Sequence, residues 1–171
     1  MRLTDLLALS HVPRWSIVDH AKPQSVGDHT FRVVIIAWEL ADRIKTPLNC
    51  STLRYILAHD APESRTADIP NPAKSTMSLK DDVTYCPWMF GLFPNGIDSE
   101  QEKIFKLADK VEGYTFIAKY GIGAHAVLVA GSCKEELMQY AEECGWGAAV
   151  RGVCDDILSD SGRFRGLSPR D

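Results

Sequence analysis

The chain has 171 residues, 45% of them hydrophobic and 25% charged, enough to bury one core and too few for two sizeable domains. Net charge of -4 argues against a nucleic-acid polymer as main partner, and a mean hydropathy of -0.14 with no long apolar run argues against a membrane span. The opening stretch MRLTDLLALSHVPRW carries no apolar leader with a small-residue cleavage site, so a cytoplasmic chain is expected. Five cysteines at irregular spacing, without a C-x-x-C, read as reduced thiols.

Residues 2–10 read as a short amphipathic helix with Leu3, Leu6, Leu7 and Leu9 on its apolar side, and Pro13 turns the chain out of it. From Ser25 to Ile44 the pattern is strongly helical, and Val33, Ile36 and Leu40 stack above His29. After Pro47, Ser51 is the expected cap of a second helix, TLRYILAHD, which runs into Pro62. Segment 64–98 holds Pro70, Pro72, Pro87 and Pro94 and is expected to be irregular, with room for a helix near 74–86. A long helix starts at Ser99 and stops at Gly121 and Gly123. Helices over 124–144 and 147–159 follow. Period-2 alternation is nearly absent, so an all-α single domain over 1–160 is expected, with 161–171 as a loose tail.

Chemistry concentrates at His29, the pair His59-Asp60, and Asp109, each set among apolar residues of a helix. Such groups need partners, because an unpaired buried charge is expensive. One divalent cation would satisfy all of them, and two imidazoles with two carboxylates suit Mn, Fe, Co or Zn better than Ca or Mg. Plainer roles exist for each. Asp28-His29 fits a helix N-terminus, and Asp109 fits an ion pair with Lys106 or Lys110. Glu63 would share a face with His59 and Asp60 in an unbroken helix, but Pro62 intervenes and Arg65 offers a surface partner. Lys106 projects near the Asp109 face, whereas Lys110 lies about 100° around the helix.

The ordered set and its surrounding strings resemble the HD-domain metal-dependent phosphohydrolases, in the branch of the 5'-deoxynucleotidases and the small phage dATP triphosphohydrolases. The strings are Arg14-Trp15, Val26-Gly27-Asp28-His29-Thr30, His59-Asp60-Ala61-Pro62-Glu63, Asp68-Ile69-Pro70-Asn71-Pro72-Ala73-Lys74 and Lys106-Leu107-Ala108-Asp109-Lys110. They span residues 14–110. Gly27-Asp28 departs from the Ser-Glu more usual in the nucleotidases.

The resemblance implies a helical HD bundle with His29, His59, Asp60 and Asp109 as ligands of one divalent transition metal (Zn, Co or Mn), with a further Mg on a phosphate tail left open. It implies Glu63 as general acid/base. Arg14, Trp15, Ile17, Asp68, Lys74 and Lys106 are the implied substrate contacts: Trp15 as a stacking surface, Ile17 crowding the purine 2-position, Asp68 reading deoxyribose hydroxyls. The expected activity is hydrolysis of dATP at the α-phosphorus to deoxyadenosine and triphosphate. The alternatives are a 5'-deoxynucleotidase acting on monophosphates and a non-catalytic nucleotide-binding module. The resemblance further implies a homo-oligomer, in host cytoplasm if phage-encoded.

Overall fold

The computed structural model describes residues 3–74, 86–88, 93 and 96–159. The expected tail over 161–171 and nearly all of the expected helix at 74–86 lie outside the described residues. The described residues form helices α1 (Leu3–Ala8), α2 (Val26–Ile44), α3 (Cys50–Ala58), α4 (Glu63–Thr66), α5 (Asn71–Lys74), α6 (Ser99–Tyr120), α7 (Gly123–Glu143) and α8 (Gly147–Ser159), and no strand. The all-α expectation holds.

Helix α2 begins where its sequence says it should. Ser25 Oγ accepts from the Asp28 amide at 3.0 Å, and Asp28 Oδ2 accepts from the Ser25 amide at 3.1 Å, a reciprocal cap that satisfies two otherwise orphaned donors. This explains the Gly27-Asp28 departure. Asp28 closes the cap, and a Cβ on Gly27 would come within 3.1 Å of the Ser10 backbone. Helix α3 is capped by Asn49, not Ser51. Asn49 is extended and its Oδ1 accepts from the Thr52 amide at 2.8 Å, while Ser51 is already inside the helix.

Helix α2 lies against α3, α6 and α8, and α6 also lies against α7. Their facing sides supply one core, including Val33, Leu40, Ile56, Ile104, Leu107 and Leu137. A smaller cluster of Val18, Ile117 and Ala126 carries Trp15 on its edge. Gly123 sits at φ 81°, a left-handed turn that lets α7 start directly after α6.

The N-terminus differs from its expected form. Helix α1 stops at Ala8 and a 3-10 turn covers Leu9–His11. Leu9 is buried, but Leu3 and Leu7 are 61% and 63% exposed. The buried residue of α1 is Asp5, which accepts from Arg65 Nη2 at 2.9 Å and Trp88 Nε1 at 3.1 Å. Polar anchoring through Asp5, together with the single buried Leu9, holds this segment down.

Candidate metal centre and adjoining cleft

His29 lies on the first turn of α2, His59-Asp60 directly after α3, and Asp109 mid-way along α6. Packing of α2 against α3 and α6 brings them together. His29 Nε2 is 3.0 Å from Asp109 Oδ1 and 3.6 Å from Asp60 Oδ2, and His59 Nε2 is 3.1 Å from Asp60 Oδ2. One donor atom each from His29, His59 and Asp109 falls within 4.8 Å of the others. The expected alternatives for Asp109 do not form: Lys106 pairs with Glu102 and Lys110 with Glu136.

Both imidazoles are held in one tautomer. His29 Nδ1 lies 2.7 Å from Glu112 Oε2, and His59 Nδ1 lies 2.6 Å from the Ile56 carbonyl oxygen. Both partners accept only, so Nδ1 donates to them and Nε2 turns inward toward the carboxylates, where a metal ion would take the place of its proton. The electrostatics agree with a place that attracts positive charge. Burial opposes a charge on His59, yet Asp60 and Asp109 outweigh it and lift its pKa to about 9. Burial and Arg14 oppose a charge on His29, and the bonds to Asp109 and Glu112 still raise its pKa. Burial would raise Asp60, but His59 and His29 hold it well below the usual carboxylate range. Two inward Nε2 atoms among carboxylates are a donor set suited to a divalent transition ion.

Glu63 stays close enough to Asp60 to feel its charge in spite of Pro62. After α3 the chain tightens into i→i−3 bonds, Ala61 N to Ala58 O and Glu63 N to Asp60 O, both 2.9 Å, and Pro62 keeps helical angles. Glu63 Oε2 is buried with no hydrogen-bond partner among the described residues. Burial, with Asp60 and Asp68 nearby, raises its pKa to about 7. Its other oxygen sits 3.5 Å from Lys74 Nζ. The expected Arg65 partner goes instead to Asp5.

A cleft of about 350 Å³ is lined by Arg14, Trp15, Ile17, Asp68 and α7 residues such as His125 and Val129; His29, His59, Asp60 and Asp109 do not line it, and Arg14 joins it to the centre through Glu112, which also holds His29. The loop that carries Arg14 and Trp15 is tied to the start of α2 by Arg14 N to Gln24 O at 3.0 Å and Val26 N to Val12 O at 2.8 Å. Trp15 takes φ 63°, an unusual value for a bulky residue. Its amide donates to Asp68 Oδ2 at 3.3 Å, its indole donates to Gln24 Oε1 at 2.9 Å, and its ring stacks on Phe116 at 6.1 Å. Ile17 is 55% exposed on the cleft wall.

A family model described as an HD domain matches residues 7–112, well over half the chain. The chain belongs to the HD-domain family. This HD-domain chain is 30% identical over 138 residues to a dATP triphosphohydrolase of Cyanophage S-2L, covering 77% of this chain and 78% of that protein. It is 27% identical over 150 residues to a dATP triphosphohydrolase of Salmonella phage PMBT28, covering 81% and 77%. Its fold matches the Cyanophage S-2L HD phosphohydrolase DatZ, solved bound to dA and one catalytic Zn2+ ion, with TM-score 0.78 at 21% identity over 94% of this chain and 98% of that one. A conserved hypothetical protein of Pyrococcus furiosus follows with TM-score 0.62 at 19% identity, over 91% and 96%.

Within this HD domain Lys106 pairs with a neighbour on its own helix. Lys106 Nζ lies 2.7 Å from Glu102 Oε1, one turn further back along α6, and the side chain is 51% exposed. The i−4 carboxylate draws the ammonium away from the centre. Sequence reasoning missed Glu112, which is fully buried and touches His29, Arg14, Arg32 and Gln24. A signal existed: Glu112 stands at i+4 from Ala108 and i+8 from Ile104, on the core face of α6.

Proposed function

We propose that this chain is a metal-dependent dATP triphosphohydrolase, releasing deoxyadenosine and triphosphate by attack of water on the α-phosphorus. The carrying observation is the convergence of His29 Nε2, His59 Nε2 and an Asp109 oxygen within 4.8 Å of one another, together with a cleft lined by Arg14, Trp15, Ile17 and Asp68. The relatives named dATP triphosphohydrolase supply the substrate.

The reading takes His29, His59, Asp60 and Asp109 as holding one transition ion, Zn, Co or Mn. When bound, such an ion lowers the pKa of water and offsets phosphate charge. Glu63, with a pKa of about 7, is suited both to take a proton from the attacking water and to deliver one to the departing O5'. A new bond forms from water oxygen to phosphorus, the phosphorus–O5' bond breaks, and the proton ends on the sugar. Arg14, aimed at the cleft but anchored to Glu112, faces phosphate, with Lys74 beside Glu63. Trp15 and Ile17 bound the purine, and Asp68 accepts from a deoxyribose hydroxyl. Lys106 is the remaining basic residue of this set, and it would leave Glu102 to reach phosphate.

The reading treats 1–160 as one domain acting on a small nucleotide in host cytoplasm. It includes self-association, supported by α7, which exposes Val127 and Leu128 at 71% and 72%. Sedimentation at micromolar concentration checks that part. Product analysis tests the activity: dATP should give deoxyadenosine and triphosphate in equal amounts with no dADP. Single phosphates released from dAMP, with dATP untouched, would replace this reading with a nucleotidase.

A further inference from the structure

Glu112 is the most heavily engaged side chain near the centre and touches nothing that reacts. Its Oε2 accepts from His29 Nδ1 at 2.7 Å and from Arg14 Nη1 at 3.2 Å. Its Oε1 accepts from Gln24 Nε2 and Arg32 Nε, both at 2.7 Å. Those four donors use the full acceptor capacity of a carboxylate. Gln24 carries the connection further, because its Oε1 accepts from the Trp15 indole at 2.9 Å. One fully buried carboxylate therefore fixes the tautomer of a metal-facing histidine, the guanidinium on the cleft wall, and, through Gln24, the cleft tryptophan.

We infer that Glu112 is a positioning residue that sets the metal centre and the nucleotide-binding arm together, His29 directly and Arg14 and Trp15 as a unit. The nucleotide half rests on the reading proposed above. A carboxylate is required because all four neighbours donate. An amide in its place would turn an NH2 toward one pair of them. If it replaces Oε2 it meets His29 and Arg14 together: the imidazole must move its proton to Nε2, which then cannot bind a metal, and the guanidinium loses its acceptor. If it replaces Oε1 it opposes Gln24 Nε2 and Arg32 Nε, and the tie through Gln24 to Trp15 loosens.

Three measurements on the full chain test this. In the Zn2+-loaded wild type, ring 15N spectra should show His29 with a protonated Nδ1 and a metal-shifted Nε2. In Glu112→Gln, Zn2+ affinity by chelator competition should fall about 10–100-fold, the range for loss of such an outer partner. In Gln24→Met, which leaves Glu112 and His29 in place, the KM for dATP should rise several-fold with Zn2+ affinity and kcat within about twofold of wild type. A merely structural role would lower Tm in both variants and leave the ring spectrum, Zn2+ affinity and the KM-against-kcat split unmoved. A His29 bound through Nδ1, a folded Glu112→Gln that holds Zn2+ as wild type does, or an unchanged KM in Gln24→Met each overturns the inference. Should Glu112→Gln fail to fold, the wild-type spectrum and Gln24→Met decide. A wild type that neither binds Zn2+ nor hydrolyses dATP would instead sink the functional reading itself.

Discussion

The metal centre and the cleft are built by opposite means. The centre is assembled from three helices whose packing belongs to the main core, and each imidazole is locked from behind by an acceptor at 2.6–2.7 Å. The cleft wall is loop on one side and an open helix on the other, with Trp15 in a left-handed backbone conformation and Ile17 largely exposed. On the proposed reading, chemistry that needs fixed donor geometry sits on packed helices, and recognition sits on a loop and an open helix face. The comparison predicts large losses from changes in the first region and selective, smaller ones from changes in the second.

The largest effect is expected from the centre itself. His59→Ala or Asp109→Ala should abolish both Zn2+ retention and dATP turnover, measured by elemental analysis and product assay on one preparation. Retained activity without metal would break the contrast at its root. Next comes Glu63→Gln, which should lower kcat by about 10²–10⁴-fold while leaving metal occupancy near wild type. Loss of metal in proportion to rate would make Glu63 a ligand.

In the cleft, Trp15→Ala should cost roughly 1–3 kcal/mol in kcat/KM for dATP through lost stacking. Ile17→Ala should do less to dATP but improve the relative rate on 2-aminoadenine nucleotides. An unchanged ratio would remove Ile17 from base selection.

The smallest effect is one of stability in the chelated protein. Burial and the nearby Asp60 and Asp68 raise the Glu63 pKa from 4.5 to about 7 in the folded state. The unfolded chain therefore releases this proton first as pH rises. Folding is favoured below about pH 4.5, and that advantage fades as pH passes through 7. Glu63→Gln lacks this dependence, so its Tm should gain on wild type by a few degrees between pH 5 and pH 8. A constant difference across that range would mean that Glu63 ionises freely.

What the sequence displayed of all this follows distance along the chain. Helices α2 and α6 declare themselves through local apolar periodicity, and His29 and Asp109 are conspicuous because they interrupt it. Glu112 interrupts it just as much, yet its meaning depends on Arg14, Gln24, His29 and Arg32, each at least 80 residues away in sequence. Asp5 is similar: in so short a helix leucines dominate the pattern, and only Arg65, 60 residues on, shows why the aspartate is the side chain that goes inside. The cap of α3 is ambiguous locally. Asn49 and Ser51 are both competent caps, and Asn49 is the one that stands in extended backbone with its side chain accepting from the Thr52 amide.

The backbone of Trp15 has a consequence for engineering. A bulky residue in that conformation carries strain on the order of 1–3 kcal/mol and persists only where its surroundings insist on it. Here part of that insistence is the Asp68 carboxylate receiving the Trp15 amide at 3.3 Å. On the proposed reading, Asp68 also judges the sugar. Replacing it to admit ribonucleotides would therefore release the tryptophan as well, and preference for sugar and preference for base would shift in concert. Epistasis between positions 15 and 68 is built into this pocket, and libraries that vary them one at a time would overlook their productive combinations.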